Sequence, residues 1–115
     1  MEASEEYVRS KWKEVHVRKR RDIKSGMCFL IVMGRHSTLW YGNERAAWSA
    51  ARAFTEERER EIAEVEEEIS EIEDDILSYS SHDNADSFAV IYRRILARLQ
   101  ARLAELRRGM KEGSE

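Results

Sequence analysis

The sequence predicts an α+β fold in which a three-stranded antiparallel sheet is followed by a long antiparallel helical hairpin, paired as a coiled coil. Short apolar runs separated by glycine-containing turns fill residues 11–41, whereas no glycine or proline occurs between Gly42 and Gly109. In that uninterrupted part apolar residues recur every three or four positions, as helices that pair along a seam require. We therefore divide the chain into a flexible leader (1–10), a β-meander with the helix start that packs on it (11–54), the helical hairpin (55–111) and a tail (112–115).

The predicted strands are Lys11–Arg20, Met27–Met33 and Thr38–Tyr41. In the first strand Val15 and Val17 alternate with polar residues, and the second is a continuous apolar run. Residues 22–26 and 34–37 have turn composition, and Gly26 can adopt the positive φ that a tight hairpin turn requires. Consecutive strands joined by short turns predict an antiparallel meander.

A first helix is predicted from Glu44 to residue 78. Asn43 precedes it as the N-cap, because its side chain can accept hydrogen bonds from the free amides of the first turn. Its first half is rich in alanine and is suited to close packing on the sheet. Its second half carries an apolar seam with alternating spacings of three and four: Ile62, Val65, Ile69, Ile72 and Ile76.

A second helix follows the polar segment 78–86, in which Ser81 or Asp83 can act as its cap. Its seam consists of Tyr92, Leu96, Leu99, Leu103, Leu106 and Met110. A connection this short makes two helices antiparallel neighbours. The expected neighbours across the seam are Ile76 with Phe88, Ile69 with Ile95, and Val65 with Leu99.

The two predicted helices carry opposite charge. Residues 56–75 contain twelve acidic residues and two arginines, whereas residues 88–111 contain seven basic residues and one acidic residue. Exposed ion pairs contribute only about 0.2–1 kcal/mol each, so we expect the apolar seam to stabilise the hairpin and the charges to select its register. The charges expected to face each other are Glu66, Glu67 and Glu71 on one helix and Arg93, Arg94, Arg98 and Arg102 on the other.

Cys28 is the only cysteine, which excludes an intramolecular disulfide and a cysteine-based zinc site. It lies within the apolar second strand, where a buried, inert thiol is expected. The N-terminus lacks the apolar core of a secretory signal, and no apolar run approaches the roughly 20 residues needed to span a bilayer. We therefore expect a cytoplasmic protein without a membrane partner, in the host cytoplasm if it is phage-encoded.

Catalytic and metal-binding motifs are not apparent. His16, His36 and His82 lack metal-ligand spacing, and the glycines occur at turns instead of forming a phosphate-binding loop. Residues 67–71 match an EExxE pattern, but Mg²⁺ needs several converging oxygen ligands and the facing helix offers arginines. We therefore expect no enzymatic activity, no catalytic residue, no bound metal and no cofactor.

The strongest functional signal is the basic β segment. Lysines and arginines clustered at a hairpin can contact phosphates, and a β-ribbon can enter a groove of nucleic acid. Trp12 and Trp40 add aromatic surface nearby. The alternative is a solvated hairpin whose charges keep an edge strand soluble. The candidate contact residues are Lys11, Trp12, Lys13, Arg18, Lys19, Arg20, Arg21 and Lys24.

Residues 11–54 resemble the small three-stranded AP2 and phage-integrase arm-binding modules. The resemblance rests on Trp12, Val15, Val17, Phe29, Tyr41-Gly42 and the helix start Glu44–Ala47. It implies a sheet that contacts DNA through basic and aromatic side chains, here Arg18, Arg20 and Trp12. The aliphatic second strand departs from this pattern. In size and charge the chain is also similar to phage accessory proteins of the anti-CRISPR type.

These features support three functional hypotheses. The first is a binding protein that engages nucleic acid, or a complex that handles nucleic acid, through the basic hairpin. The second is a phage-type inhibitor of such a complex that acts by protein contact, and the third is a coiled-coil adaptor. The second strand is apolar on both faces, and Ile91 and Ile95 extend the apolar surface of the second helix, so either the helical hairpin bends back over the sheet or a second chain covers these faces. We expect a homodimer, because a helix this long is hard to bend without a breaker. The alternative partner face consists of Glu66, Glu67, Glu71, Asp74 and Asp75.

Overall fold

A computed structural model of the chain describes residues 3–24, 26–79 and 85–111. It contains a three-stranded antiparallel sheet, a long helix and a further helix, as the sequence predicted. An additional short helix precedes the sheet. The elements are α1 (Ala3–Lys11), β1 (Val15–Asp22), β2 (Gly26–Met33), β3 (His36–Ser37), α2 (Glu44–Tyr79) and α3 (Ala85–Arg107).

The chain forms two compact units. The first contains the described residues of Met1–Arg58 together with those of Arg108–Glu115, and the second is Glu59–Arg107. Helix α2 therefore contributes to both units. The expected boundary between residues 54 and 55 lies four residues earlier, and residues 108–111 belong with the sheet instead of the helical hairpin.

Helix α1 replaces the flexible leader that we expected, so that prediction was wrong. Val8 is completely buried, and the Arg9 guanidinium lies 5.2 Å from the centroid of the Trp48 ring on α2. Arg9 also pairs with Glu5 one turn earlier, at 2.9 Å. A buried apolar residue and the Trp48 ring supplied by α2 dock a helix whose own composition is mostly polar.

Strands β1 and β2 form a hairpin whose register runs from Val15 opposite Met33 to Asp22 opposite Gly26. Gly26 has a φ of 78°, as predicted. An Asp22 side-chain oxygen accepts a hydrogen bond from the Lys24 amide at 2.8 Å, which is the local bond that favours aspartate in turns. Strand β1 begins at Val15 instead of Lys11, because α1 extends to Lys11.

Strand β3 is shorter and earlier than the predicted Thr38–Tyr41. After β3 the chain stays beside β2: the Thr38 amide donates to the Ile31 carbonyl at 3.0 Å, and Phe29 and Tyr41 exchange two backbone bonds of 2.8 Å. Leu30 therefore lies opposite two residues, 39 and 40, which is a β-bulge. The Thr38 hydroxyl accepts the Ile31 amide at 3.0 Å and so replaces a backbone acceptor that regular pairing would supply.

Helix α2 starts as predicted. The Asn43 side chain accepts a hydrogen bond from the Ala46 amide at 2.7 Å, which satisfies one of the free amides of the first turn. Residues 80–84 lie outside the described part, and with them the predicted caps Ser81 and Asp83 of the following helix.

Two ion pairs join α2 to α3 within the second unit, Glu61 with Arg102 at 3.4 Å and Glu66 with Arg107. In each helix the two paired residues are five positions apart, a rotation of about 140° beyond one full turn. The two ion pairs therefore lie on opposite sides of each helix. Glu66 pairs with Arg107 and not with the arginines expected for it. Arg93, Arg94 and Arg98 form no ion pair among the described residues, and the facing of charges expected for them stays a prediction, as does the coiled-coil register.

The core of the first unit is centred on Trp12, which is 1% exposed. Its indole N–H donates to the Thr55 hydroxyl at 2.9 Å, and that hydroxyl donates in turn to the Ala51 carbonyl at 2.8 Å. The Phe54 ring stacks 6.1 Å from the indole. One side chain thus connects the end of α1 to the middle of α2.

Trp12 also anchors the segment after α3. Its backbone forms a β-bridge with Met110, while Lys13 donates to the Gly109 carbonyl at 2.9 Å and Lys111 donates to the Lys11 carbonyl at 2.8 Å. Gly109 has a φ of 82°, and a Cβ placed there would lie 3.7 Å from the indole. Because 3.7 Å is an ordinary contact, the positive φ and not crowding favours glycine at this position.

We predict that Thr55→Val lowers the free energy of unfolding by about 1–3 kcal/mol, because the buried indole N–H loses its acceptor. Chemical denaturation monitored by tryptophan fluorescence measures the change. Thr55→Ser keeps the hydroxyl and is the matched control. Equal stability of the two variants would contradict the role assigned to this hydrogen bond.

Glu59 provides a pH-dependent prediction. Burial raises the pKa of its carboxyl above the ordinary value of 4.5, so the charged form is disfavoured in the folded state. The resulting stability is present below pH 4.5 and is lost as the pH rises through the folded-state pKa. We predict that Glu59→Gln is more favourable to stability at pH 7 than at pH 4, as measured by urea unfolding at both values. Glu64→Gln corrects for the loss of one negative charge from the helix, and an effect of Glu59→Gln that is the same at both pH values would contradict the prediction.

Candidate nucleic-acid interface

The two faces of the sheet have different surroundings. On the inner face Val15 and Val17 lie opposite Met33 and Ile31, and both β2 residues are completely buried. The Met33 sulfur lies 3.8 Å from the Thr55 hydroxyl, which places α2 over this face. Side chains of a strand alternate between faces, so the intervening residues of β1 point to the outer face.

The outer face carries Arg18 and Arg20, which lie opposite Leu30 and Cys28. Both arginines are exposed, whereas Leu30 is half-buried. The Arg20 guanidinium lies 4.4 Å from the centroid of the Trp40 ring, so Trp40 lies on the outer face as well. Stacking holds the guanidinium plane in place while leaving its in-plane N–H groups available as donors.

At the tip of the hairpin positive charge appears on both faces. Lys19 and Arg21 belong to the inner face by alternation but are exposed, as is Lys24 in the turn. Ile23 in the same turn is fully exposed, and Met27 opposite Arg21 is 39% exposed. The turn and the pair Arg21–Met27 are therefore not covered by the rest of the described chain, whereas Cys28 on the outer face is buried.

The basic hairpin, defined as Arg18, Lys19, Arg20, Arg21 and Lys24, carries positive charge that no acidic side chain of the described residues neutralises. None of these five side chains forms an ion pair with an acidic residue in the described ranges. Asp22, the acid nearest in sequence, accepts the backbone amide of Lys24 through its side chain. The site is a cluster of solvated cations with one aromatic ring held against it.

Three of the predicted contact residues lie elsewhere. Trp12 is buried in the core, so its assignment as a contact residue was wrong, because an indole hydrogen-bonded to Thr55 cannot stack on a partner. Lys11 ends α1 with its ammonium 5.6 Å from the Tyr7 ring, and Lys13 is exposed beside Gly109. Both precede β1, whose eight residues separate its two ends by about 23 Å. They do not extend the tip of the hairpin.

Trp40 takes the place that the sequence analysis gave to Trp12. The sequence marked it as nearby aromatic surface but could not place it, because its position depends on the bulge opposite Leu30. Leu39 in the same bulge is 77% exposed. The bulge inserts one residue and so reverses the alternation of side chains between the two faces. In a regular third strand the residues beyond the bulge would lie on the faces opposite to those that they occupy here.

The alternative partner face on α2 is solvent-exposed at all five predicted positions, Glu66, Glu67, Glu71, Asp74 and Asp75. Glu66 is paired with Arg107. The other four form no ion pair among the described residues. Glu67, Glu71 and Asp74 follow one another at spacings of four and three, so they share one face of the helix.

Other types of site are not found in the described part of the chain. It contains no group of three or more His, Cys, Asp or Glu side chains that could hold a metal ion. His36 lies against aromatic rings, 5.8 Å from Trp12 and 5.2 Å from Phe54, and Cys28 is a buried free thiol. No described helix is both long enough and apolar enough to cross a membrane. Comparison of the chain with protein-family models, with curated proteins and with solved structures gives no match.

Proposed function

We propose that this chain is a non-enzymatic protein that binds nucleic acid through the basic hairpin and Trp40. The observation that carries the proposal is the set of five exposed cations on one β-hairpin, none neutralised by a described acid. Phosphate contacts from such clusters supply most of the affinity of non-specific nucleic-acid binding. The acidic character of the whole chain, with a net charge of −3, does not oppose this, because the positive charge is concentrated at one place.

The geometry of the hairpin supports entry into a groove. The tip is the end of the hairpin between the Phe29–Tyr41 pairing and the turn, and it consists of β1 and β2 only. Its cations point to both faces of the ribbon. The major groove of duplex DNA, about 12 Å wide, admits a two-stranded ribbon. Cations on both faces of a ribbon can contact the phosphates on both sides of a groove, whereas cations on one face cannot.

The outer face adds a second type of contact. Arg20, stacked on Trp40, presents a guanidinium edge of fixed orientation, and Arg18 precedes it by two residues on the same face. A guanidinium held by a ring loses less conformational entropy when it binds than a free one does, so Arg20 is the strongest candidate for an oriented contact.

We predict that binding weakens steeply with salt and that Arg18→Ala/Arg20→Ala reduces the salt dependence. For duplex DNA the slope of log K against log salt should fall in magnitude by about 0.9 for each phosphate that the variant no longer binds. Fluorescence anisotropy with labelled duplex DNA, hairpin RNA and single-stranded DNA, between about 50 and 200 mM salt, measures this and identifies the preferred form. Arg35→Ala/Arg45→Ala removes two exposed arginines outside the hairpin and is the matched control. If none of the three probes shows salt-sensitive binding to the wild-type chain, the proposed function is wrong.

We also predict that Trp40→Ala weakens binding two- to fivefold, which corresponds to the roughly 0.5–1 kcal/mol of an exposed cation–π contact. The salt slope should stay unchanged, because every phosphate contact is retained. Trp40→Phe keeps an aromatic face and should bind more tightly than Trp40→Ala. A Trp40→Ala variant that binds like the wild type would remove Trp40 from the site and leave the arginines.

A second candidate function is inhibition of a nucleic-acid-handling protein through the acidic face of α2. The observation that favours it is the row Glu67, Glu71 and Asp74, exposed and unpaired within the described ranges. Such a row presents negative charge at regular spacing, as a nucleic-acid backbone does. Salt-sensitive binding of a cationic peptide that disappears in Glu67→Gln/Glu71→Gln/Asp74→Gln, with no binding to any nucleic-acid probe, would favour this candidate over the first.

A further inference from the structure

The second unit carries two parallel rows of opposite charge that are largely unpaired. On α2 the acidic row is Glu61, Glu68 and Asp75, spaced seven residues apart and therefore close to one face of the helix. On α3 the basic row is Arg94, Arg98 and Arg102, spaced four residues apart. Glu61 and Arg102 contact each other at 3.4 Å, so the two rows meet at that end.

Only that one end of the two rows is paired. Glu68, Asp75, Arg94 and Arg98 are all exposed and form no ion pair among the described residues. Ile91, one turn before Arg94 on the same face of α3, is 55% exposed. Its neighbour Val90 is 49% exposed, and exposed apolar surface rimmed by polar residues is typical of an interaction surface.

We propose that a second copy of this chain covers this face, with the acidic row of each copy against the basic row of the other. A two-fold axis brings the same patch of both copies together, so each contact occurs twice. A patch with one acidic and one basic row side by side is self-complementary under that operation, whereas a patch of one sign repels its copy. In this dimer the exposed Ile91 side chain of each copy is removed from water, because it lies between the rows.

The proposal does not depend on nucleic-acid binding, since none of its residues belongs to the basic hairpin. It also identifies one of several possible occupants. A cationic or anionic partner would satisfy one row and leave the other exposed with its charge uncompensated. A second copy satisfies both.

The test uses the full chain and two charge-reversed variants. Glu68→Lys/Asp75→Lys makes the unpaired part of both rows basic, and Arg94→Glu/Arg98→Glu makes it acidic, while the pair Glu61–Arg102 is kept. We expect the wild type to sediment as a dimer of about 27 kDa, twice the 13.5 kDa chain, and each variant to sediment as a monomer. An equimolar mixture of the two variants should recover the dimer as a heterodimer, because every reversed charge then meets one of opposite sign.

Two further variants complete the test. Ile91→Ser changes no charge and should weaken the dimer at least tenfold, while Arg35→Glu/Arg45→Glu reverses two exposed charges in the other unit and should leave it unchanged. Circular dichroism shows whether each variant keeps its helices. The proposal is overturned if the wild type is a monomer at 100 µM, a concentration on the order of 10⁻⁴ M where dissociation constants below millimolar are detected. It is equally overturned if the mixture of reversed variants stays monomeric while both are helical.

Discussion

The hydrogen bond from the Trp12 indole to the Thr55 hydroxyl is the interaction on which the first unit depends. Trp12 follows α1 and precedes β1, and Thr55 lies in α2, so the bond joins three elements at one buried point. The backbone of Trp12 bridges Met110, which brings the segment after α3 to the same place. A buried donor without an acceptor costs free energy, so the position of α2 relative to β1 is constrained by a polar requirement as well as by packing.

The elements that the sequence predicted correctly are those fixed by local chemistry. Asn43 identifies the start of α2 because a cap acts within one turn, and Gly26 identifies the hairpin because only the backbone matters there. The errors arose where distant residues decide. Lys11 to Glu14 alternate well enough for a strand, but Val8 is buried and Trp12 finds its partner Thr55 on α2, 43 residues later, and the chain forms a helix up to Lys11 instead.

In the candidate site, the charged residues were predictable from the sequence and the aromatic partner was not. Arg18, Lys19, Arg20, Arg21 and Lys24 were identified from charge density alone, and all are exposed as expected. The aromatic partner was misassigned, since the sequence offers Trp12 and Trp40 on equal terms. The choice between them depends on the buried acceptor at Thr55 and on the bulge opposite Leu30, and neither leaves a local signal. Charge is visible in a sequence because it is a property of one residue, whereas burial is a property of its neighbours.

The two proposed interactions use charge in different ways. In the basic hairpin one sign is concentrated and the complementary charge must come from another molecule, so affinity depends on the release of counterions from that molecule. In the second unit both signs occur on one unit, and in the proposed dimer a second copy supplies what each row lacks. Salt weakens both interactions, since both involve exposed charges.

Protein concentration distinguishes the two interactions. The proposed dimer dissociates when the chain alone is diluted. The salt slope for nucleic acid counts phosphate contacts, whether the bound chain is one copy or two. A dimer would carry two basic hairpins instead of one. Its slope of log K against log salt exceeds that of the monomer only if both hairpins contact the same nucleic-acid molecule.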